Sequence, residues 1–347
     1  MIRALTAVLI LWSMAGCHSG PPPDMDPVHI TIPSGASFRQ VVDTLETRGL
    51  VGAPLFFRIY ARMKGAETQV RSGSYALVPG TAWSEILRDL TEGRVLTRTV
   101  TIPEGFRLTQ IAPRISEITG LDVDTVLAAI LADSVEVRWG VPGPGLEGFL
   151  FPESYWIAQG SPLDSVLSAM VSQYKAFWTP ERVATREALG MTEQEVVTLA
   201  SVVQAEARME SEMPVIASVY HNRLARGQLL QADPTVLYAL GGYRARLLYA
   251  AMDSVADHPY NTYTQPGLPP GPIGSPGQRA LDATLNPAQT GFYYFMARTD
   301  GSHIFAETLT EHNRNVARLR PEWERFRQEQ ASQRQPEGSQ GGAPKGP

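Results

Sequence analysis

Hydrophobic and polar positions alternate along the first hundred residues with two different periods. The alternating stretch 28–32 predicts a β-strand, and the Pro-Ser-Gly sequence after it predicts a turn. Ser37 then precedes a segment whose apolar residues have helical spacing, which predicts a helix capped by Ser37. Residues 56–63 predict another helix, and residues 73–77 predict another strand. Residues 82–90 repeat the pattern of a turn followed by a helix. Residues 28–100 are therefore expected to form a small α/β unit.

The next segment continues the mixture of strand and helix signals. Residues 97–102 predict a strand, and the Pro-Glu-Gly sequence after them predicts a turn. Helical spacing follows over 108–118 and 123–132. Residues 101–144 are therefore expected to connect the first unit to the rest of the chain.

The remainder, 145–325, is richer in aromatic residues and in turns built from proline and glycine, and it holds the candidate chemistry. Residues 292–297 predict a buried strand, and 302–305 predict its partner in a hairpin that turns at an Asp-Gly pair. The last residues, 326–347, are mostly glutamine, glycine, serine and proline and are expected to be disordered. The whole pattern predicts an α+β fold.

The composition fits folded domains and excludes several classes of protein. At ~150 residues per domain, a chain of 347 residues indicates about two domains. The single cysteine excludes a disulfide framework within the chain and a CxxC-type zinc site. A net charge of −5 makes the chain a poor candidate for binding nucleic acid. A mean hydropathy of −0.13 excludes a polytopic membrane protein.

The N-terminal residues predict export and attachment to a membrane. Arg3 and the apolar run 4–16 are typical of a secretory signal, and the run is shorter than the ~20 apolar residues of a spanning helix. The sequence Met-Ala-Gly-Cys resembles a bacterial lipobox, in which Cys17 is lipidated after cleavage. The alternative is an uncleaved signal anchor over 1–17. Both hypotheses place the folded part outside the cytoplasm on a membrane, with 18–27 as a proline-rich spacer.

One helix carries a glutamate on its apolar side. Thr192 and Glu195 have the spacing of a capping box, which predicts a helix that runs to Glu206. On a helical wheel, three apolar residues of this segment lie within ~60° of Glu206, whereas Ser201 and Gln204 point roughly the other way. Burial should raise the pKa of such a carboxyl, and a protonated carboxyl near neutral pH can act as a general acid.

Other roles for acidic residues in this region stay open. Glu206 could instead be a buried partner of an arginine, such as Arg208 or Arg223, or could lie at a frayed helix end. Glu210 and Glu212 follow closely and could be the acid, although Pro214 beside them indicates that the helix ends there.

Two loops carry further candidates. Asp233 precedes a proline, which favours a helix N-cap over catalysis for this residue. Tyr260, Asn261 and Tyr263 lie next to the proline run 267–273, which must be an extended loop. Aromatic rings beside amides suit a sugar-binding groove, and a proline-rich surface crossing is an equally good interpretation.

The histidines give no strong metal signature. His303 falls in the predicted hairpin, where a hydrogen-bonded structural role is more common than catalysis. A metal site from His258, His303 and His312 stays open, although no HExxH-like spacing supports it. The sequence contains no clear GxSxG, P-loop or GxGxxG fingerprint.

Several long motifs in order resemble the endolytic murein transglycosylase family (YceG-like, MltG). The motifs are LEGFLFPESY, LASVVQAEA, YHNRLARGQLLQADPTVLYALG, YNTYTQPGLPPGPIGSPG and LNPAQTGFYYFMARTDGSHIFAETLTEHN. The resemblance covers roughly 28–320. It implies a membrane-tethered LysM-like domain over 28–100 and a catalytic domain over 145–325 with a lysozyme-like active centre. The implied reaction cleaves nascent peptidoglycan strands within the chain and limits their length.

Two departures from the family pattern bear on the site. The family's helix motif often carries two glutamates two positions apart, and here the first position is Gln204, so that only Glu206 remains acidic. Relatives commonly have a true spanning helix, whereas this chain resembles a lipoprotein. Glu206 is therefore the expected catalytic acid, and the implied activity is that of a lyase.

The resemblance also implies the binding partners. The candidates for holding the glycan are Gln231, Asn261, Tyr263 and His303, with Asp233, Tyr260 and Glu212 as weaker ones. No metal, organic cofactor or nucleic acid is implied, and peptidoglycan synthases are candidate protein partners. Two alternatives stay open: a non-catalytic peptidoglycan-binding scaffold, and a hydrolase that uses a second carboxyl such as Glu153 or Asp233.

Overall fold

The computed structural model describes residues 26–333, apart from residues 34, 133–134, 144 and 243–248. Helices and two-stranded antiparallel sheets make up the described elements, in agreement with the predicted α+β class. The chain divides into two compact units. The first contains residues up to 102 together with 109–129 and 153–170, and the second contains 103–108, 130–152 and the chain from 171 onward. The predicted connector, 101–144, is thus shared between both units.

The first unit begins with the predicted α/β arrangement. Strands β1 (Val28–Ile32) and β2 (Gly73–Leu77) pair antiparallel, with Val28 opposite Leu77. The helices of this part are α1 (Phe38–Thr47), α2 (Pro54–Met63) and α3 (Trp83–Glu92). Ser37 caps α1 in a capping box with Gln40, which confirms the predicted helix start. Apolar side chains from all five elements form one core, including Ile30, Leu45, Phe57, Tyr75 and Leu90.

The segment after α3 supplies a second sheet. Strand β3 (Thr97–Thr101) pairs antiparallel with β4 (Ser154–Ala158), a strand that lies more than fifty residues further along the chain. The helices that follow β3 and β4 are α4 (Leu108–Thr119), α5 (Val123–Leu131), α6 (Val135–Trp139) and α7 (Leu163–Phe177). The sequence pattern does not predict β4, because its partner is distant and no hairpin turn marks it.

The second unit is mainly helical. Its later elements are α8 (Pro180–Ala188), α9 (Glu193–Glu206), α10 (Met213–Ala225), α11 (Asp233–Ala239), α12 (Tyr249–Asp253), α13 (Gln278–Leu285), β5 (Tyr294–Ala297), β6 (His303–Ala306) and α14 (Leu309–Gln333). Helices α9, α10 and α13 pack against one another. The predicted hairpin is confirmed, with Ala297 opposite His303, although β5 is half-buried rather than buried.

Helix α9 is buried on all sides from Val196 to Val203. The predicted capping box of Thr192 and Glu195 is confirmed. The helical wheel places Ser201 and Gln204 on a polar side, away from the apolar residues of α9. In the structure this polar side is also covered by other residues. The cover is the proline-rich loop, whose residues 271–277 are buried. The alternative of a proline-rich surface crossing is therefore wrong for this part of the loop.

Polar side chains of α9 hold this loop by its backbone. Gln194 donates a hydrogen bond from Nε2 to the carbonyl of Pro270 at 2.7 Å. Ser201 Oγ accepts a hydrogen bond from Ile273 N at 3.0 Å, and Gln204 Oε1 accepts one from Gly277 N at 3.0 Å. A proline-rich loop cannot pair its backbone in a sheet, and Ser201 and Gln204 satisfy buried N–H groups of the loop that would be costly to leave unpaired.

The chain ends differ from the expectation or lie outside the described residues. Helix α14 continues to Gln333, so 326–333 is helical rather than disordered. Glutamine, glutamate, arginine and alanine all favour helix, and a helix already packed on the unit extends at low cost. The rest of the predicted tail, the spacer and Cys17 lie outside the described residues. Among the helices of the described part, none combines the length and apolar character that a membrane crossing requires.

Gly148 offers a test of how tightly the loop packs on α9. Its φ is 83°, and a Cβ placed there would lie 2.5 Å from Pro272 Cβ and 3.2 Å from Val197 Cγ1. Gly190 has a φ of 68° with no atom within 4 Å of such a Cβ. We expect Gly148→Ala to lower the free energy of unfolding by about 2–4 kcal/mol, and Gly190→Ala by about 1 kcal/mol. Urea denaturation measures both, and equal losses would contradict the tight packing.

Candidate functional site

Glu206 is the last residue of α9, and its side chain is half-buried. Burial raises the pKa of this carboxyl to about 7, and the negative charge of Asp233 raises it further. The C-terminal end of a helix carries partial negative charge, which also disfavours an ionised carboxylate there. Two groups act in the opposite direction, the hydroxyl of Tyr220 and the charge of Arg223. Glu206 therefore binds its proton near neutral pH, as the sequence predicts.

The two groups that stabilise ionised Glu206 come from one face of α10. Tyr220 and Arg223 are three residues apart, which places them side by side on the helix. Tyr220 donates a hydrogen bond to Glu206 Oε1 at 3.1 Å. Arg223 is buried, and its guanidinium donates to the carbonyls of Tyr293 at 2.7 Å and Leu230 at 2.5 Å. Arg223 thus acts on Glu206 as a positive charge fixed in place by backbone carbonyls.

Asp233 and Tyr263 belong to the same cluster. Tyr263 donates its hydroxyl hydrogen bond to Asp233 Oδ1 at 2.5 Å, and the charge of Glu206 helps to raise the pKa of Tyr263. The predicted capping role of Asp233 is wrong, because α11 begins at Asp233 itself and the cap position is Ala232. The hydroxyl of Thr262 accepts the hydrogen bond from Ala232 N at 2.9 Å, and the carboxylate of Asp233 accepts from Tyr263 rather than from the start of the helix.

Gln231 lies beside this cluster in an unusual conformation. Its φ is 51°, and among the described residues it is the one non-glycine with a positive φ. Its N–H donates to the carbonyl of Thr262 at 3.0 Å, and its side chain is exposed. A non-glycine residue in this region of φ/ψ space costs about 1 kcal/mol or more, and such strain is concentrated at functional sites.

Asn261 shapes the loop that carries Tyr263. Its side chain is buried, and Nδ2 donates to the carbonyls of Val255 at 3.1 Å and Met252 at 3.4 Å. Its Oδ1 accepts a hydrogen bond from Tyr263 N at 3.1 Å. The polar atoms of Asn261 are thus occupied by backbone groups, and it contributes to the site by fixing where Tyr263 lies.

Glu212 and His303 form a pair of their own. Glu212 Oε2 lies 2.7 Å from His303 Nδ1, and Glu212 Oε1 accepts a hydrogen bond from His303 N at 3.0 Å. The His303 ring meets Phe295 edge-on at 5.4 Å, and Phe295 meets Tyr220 edge-on at 5.9 Å. Because both oxygens of Glu212 are engaged with His303, the geometry favours Glu206 over Glu212 as the acid.

A second carboxyl with a raised pKa, that of the half-buried Glu147, is not predicted as a site residue. Burial raises the pKa of Glu147 to about 7, and it accepts hydrogen bonds from Leu108 N at 3.2 Å and from the hydroxyl of Tyr238 at 3.3 Å. Tyr260 lies against Tyr238 with the ring centroids 4.8 Å apart, so it belongs to this cluster. The sequence contains a usable signal, because Glu147 interrupts an apolar stretch just as Glu206 does.

The histidines do not assemble into a metal site. His258 Nδ1 accepts a hydrogen bond from Tyr260 N, His303 is paired with Glu212, and His312 stacks on Tyr294 at 5.5 Å. Within the described ranges, no group of three or more His, Cys, Asp or Glu side chains is placed to hold a metal ion. What the cluster around Glu206 can do is donate a proton near neutral pH and then hold the resulting carboxylate beside a fixed positive charge.

The opposing influences on Glu206 give a prediction for its pKa. Removing a negative charge through Asp233→Asn should lower the pKa of Glu206, because that charge disfavours ionisation. Removing the hydroxyl through Tyr220→Phe should raise it, because the hydroxyl hydrogen bond stabilises the carboxylate. Titration of the glutamate carboxyl carbons by NMR, with Glu206→Gln for assignment, measures both shifts. Shifts in the same direction in both variants would contradict this electrostatic account.

The raised pKa also predicts how stability depends on pH. The pKa of Glu206 is about 7 in the folded chain against an ordinary value of 4.5, so its contribution to stability is lost as pH rises from 4.5 to 7. At pH values above 7, the free energy of unfolding has lost the whole contribution of Glu206, which is about 3 kcal/mol. The difference in the free energy of unfolding between Glu206→Gln and the wild type should therefore favour the variant more at pH 8 than at pH 5. Urea denaturation at both pH values tests this, and a difference that does not change with pH would contradict it.

Comparison with known proteins identifies the family of the chain. The model of the YceG-like family matches residues 30–318. An endolytic murein transglycosylase of Bacillus subtilis is 33% identical over 311 residues, which are 83% of each chain. An endolytic murein transglycosylase of Streptococcus pneumoniae is 31% identical over 320 residues, and the match covers 84% of this chain and 58% of that protein.

A solved structure supports the same relationship. The crystal structure of a YceG-like protein from Listeria monocytogenes superposes with a TM-score of 0.57 at 29% sequence identity. The superposition covers 84% of this chain and 99% of the Listeria chain. The family model and the relatives each span most of the chain, and the chain belongs to the YceG-like family.

Proposed function

We propose that this protein is an endolytic lytic transglycosylase that acts on peptidoglycan, with Glu206 as its catalytic residue. The observation that carries the proposal is the carboxyl of Glu206, which burial and Asp233 keep protonated up to a pH of about 7. Support also comes from the relatives, which are named endolytic murein transglycosylases. The proposed site is a lysozyme-like centre, in which one acidic residue protonates the oxygen of the glycosidic bond.

In the proposed reaction, Glu206 acts twice. It first donates its proton to the glycosidic oxygen between N-acetylmuramic acid and N-acetylglucosamine, and the C1–oxygen bond breaks. The substrate's own 2-acetamido group stabilises the oxocarbenium-like centre. Glu206, now ionised, takes the proton of the muramoyl 6-hydroxyl as that oxygen attacks C1, which gives a 1,6-anhydro end. A single carboxyl is enough for this reaction, because no water needs to be activated.

The surroundings of Glu206 fit both halves of the reaction. Asp233 favours the protonated form, which the first step needs. Tyr220 and Arg223 stabilise the carboxylate that exists between the two steps. Because Arg223 is held by backbone carbonyls, its charge is in place before the reaction, which is the condition for effective electrostatic stabilisation.

The remaining candidate residues take graded roles. Asp233 and Tyr263 interact electrostatically with the Glu206 carboxyl, Gln231 bonds to Thr262 beside Tyr263, and all three are proposed to contact the glycan. Glu212 with His303 and Asn261 are proposed to position the elements that carry these residues. Tyr260, in the separate cluster with Tyr238, is proposed to contact the glycan further from the cleaved bond.

The rest of the chain completes the proposal. Residues 28–100 act as a LysM-like unit that binds peptidoglycan, and Cys17 or the apolar segment before it anchors the protein to a membrane. The protein then faces the periplasm or the extracytoplasmic space, where it limits the length of nascent strands beside peptidoglycan synthases. If strands bound without any cleavage, the chain would instead be a non-catalytic scaffold.

Asp233 supports one second candidate, a muramidase-type hydrolase. Its negative charge acts directly on Glu206, so two carboxyls share the site, as most hydrolases require. A hydrolase would release reducing ends rather than 1,6-anhydro ends. The hydrogen bond from Tyr263 holds Asp233 as an acceptor, which favours a role in tuning Glu206.

Replacing the acid while keeping its shape tests the proposed function. Glu206→Gln should lower the rate of product formation from isolated glycan strands by at least about 100-fold, since general acid catalysis contributes that much or more. Mass spectrometry identifies the products, because anhydro ends lack one water relative to reducing ends. Glu212→Gln is the matched control and should retain anhydro products. Full activity of Glu206→Gln with an inactive Glu212→Gln would move the role to Glu212, and reducing ends from the wild type would establish the hydrolase.

A further inference from the structure

Helix α2 of the first unit presents an apolar face to solvent. Leu55, Phe56, Ile59 and Met63 are 64%, 53%, 50% and 81% exposed. At about 100° per residue these four side chains occupy an arc of roughly 100° on the helix. Phe57 is buried in the core of the unit and points in nearly the opposite direction. The core therefore accounts for one side of α2, and the exposed arc is a second apolar surface.

Positive charges border this arc. Arg58 and Arg62 lie along one edge of the arc by helical spacing, and Lys64 follows the helix end. The segment 54–65 contains no aspartate or glutamate. Arg62 is 74% exposed and lies 3.1 Å from Glu67, a surface pair of small energetic value. An exposed apolar face with a cationic border and no acidic residue of its own is typical of helices that lie in a membrane interface.

We propose that α2 docks on the surface of a membrane that contains anionic lipid, with its four exposed apolar side chains in the headgroup region. Arginine and lysine attract anionic headgroups, and the aromatic and aliphatic side chains enter the boundary with the acyl chains. A glycan strand would not use aliphatic side chains such as Leu55 and Ile59 in this way. A second copy of α2 would bring cations against cations.

The length of the N-terminal chain makes this contact accessible. Ten residues lie between Cys17 and Val28, and an extended segment of that length spans at most ~36 Å. A unit attached to a membrane at Cys17 is therefore held within about one domain diameter of it. This step rests on the membrane attachment proposed above, whereas the apolar arc and its cationic border do not.

The test places a polarity-sensitive fluorophore on this face in the full chain. Cys17→Ser removes the native cysteine from every variant, and Met63→Cys provides the labelling site. Val137→Cys is the matched control, because Val137 is an apolar residue that is 91% exposed in another part of the chain. Each labelled chain is mixed with phosphatidylcholine vesicles that contain about one quarter phosphatidylglycerol, with and without lipids that carry a quencher on the acyl chain.

We expect the emission at residue 63 to shift to the blue and to be quenched from the acyl chains, while the emission at residue 137 does not change. Arg58→Gln combined with Lys64→Gln should lower the fraction bound to these vesicles by about tenfold, and added salt should act in the same direction. Pure phosphatidylcholine vesicles should give a weaker response than the anionic ones.

Four outcomes would overturn the proposal. They are no response at residue 63 on anionic vesicles, an equal response at residue 137, a response only to soluble peptidoglycan fragments, and self-quenching that grows with protein concentration without vesicles. The last two would identify a glycan or a second copy as the occupant. Anhydro product formation is measured on the same labelled chains. Its persistence without a vesicle response would refute membrane docking and leave the function of Glu206 intact.

Discussion

The second unit is organised around one carboxyl group, that of Glu206, which the fold partly removes from water. Glu206 ends a helix that is buried on every side between Val196 and Val203, so the helix needs a cover in all directions. Helices α10 and α13 supply apolar cover, and the proline-rich loop supplies the rest. A loop that cannot pair with a strand can cover a helix only if its backbone finds other partners, which explains the serine and the two glutamines on that side of α9.

The protonation of Glu206 results from a balance of influences that are separately anchored. Desolvation and the charge of Asp233 favour the acid, while Tyr220 and Arg223 favour the carboxylate. Each charged group is held by a different part of the unit, Asp233 by Tyr263 and Arg223 by backbone carbonyls near the hairpin. Desolvation alone would raise the pKa without offering anything to the ionised state. The opposing groups make both protonation states accessible, and a residue that acts as acid and then as base needs both.

Local signals could be read from the sequence, and signals that depend on tertiary contacts could not. The cap at Ser37, the capping box of Thr192 and Glu195 and the Asp-Gly hairpin are confirmed, because each is decided by residues a few positions apart. The predicted cap at Asp233 is wrong because Ala232 occupies the cap position and Asp233 instead accepts a hydrogen bond from Tyr263, thirty residues away. The wheel correctly separates Ser201 and Gln204 from the apolar residues of α9, but it cannot reveal that the proline-rich loop covers that side. Glu147 carries the same signal as Glu206, a carboxyl among apolar residues, but it lies outside a long, well-capped helix.

Gln204 shows how a departure from a family pattern can separate structure from chemistry. Its contact with the loop uses Oε1 as an acceptor for Gly277 N. A glutamate oxygen can accept the same hydrogen bond, so a glutamate at position 204 would hold the loop without sharing the role proposed for Glu206. The first position holds the loop that covers the helix and requires only an acceptor. In the proposed reaction the second position must gain and lose a proton, and an amide cannot do so. Of these two positions only 206 carries a carboxyl, and its surroundings bring its pKa near neutrality.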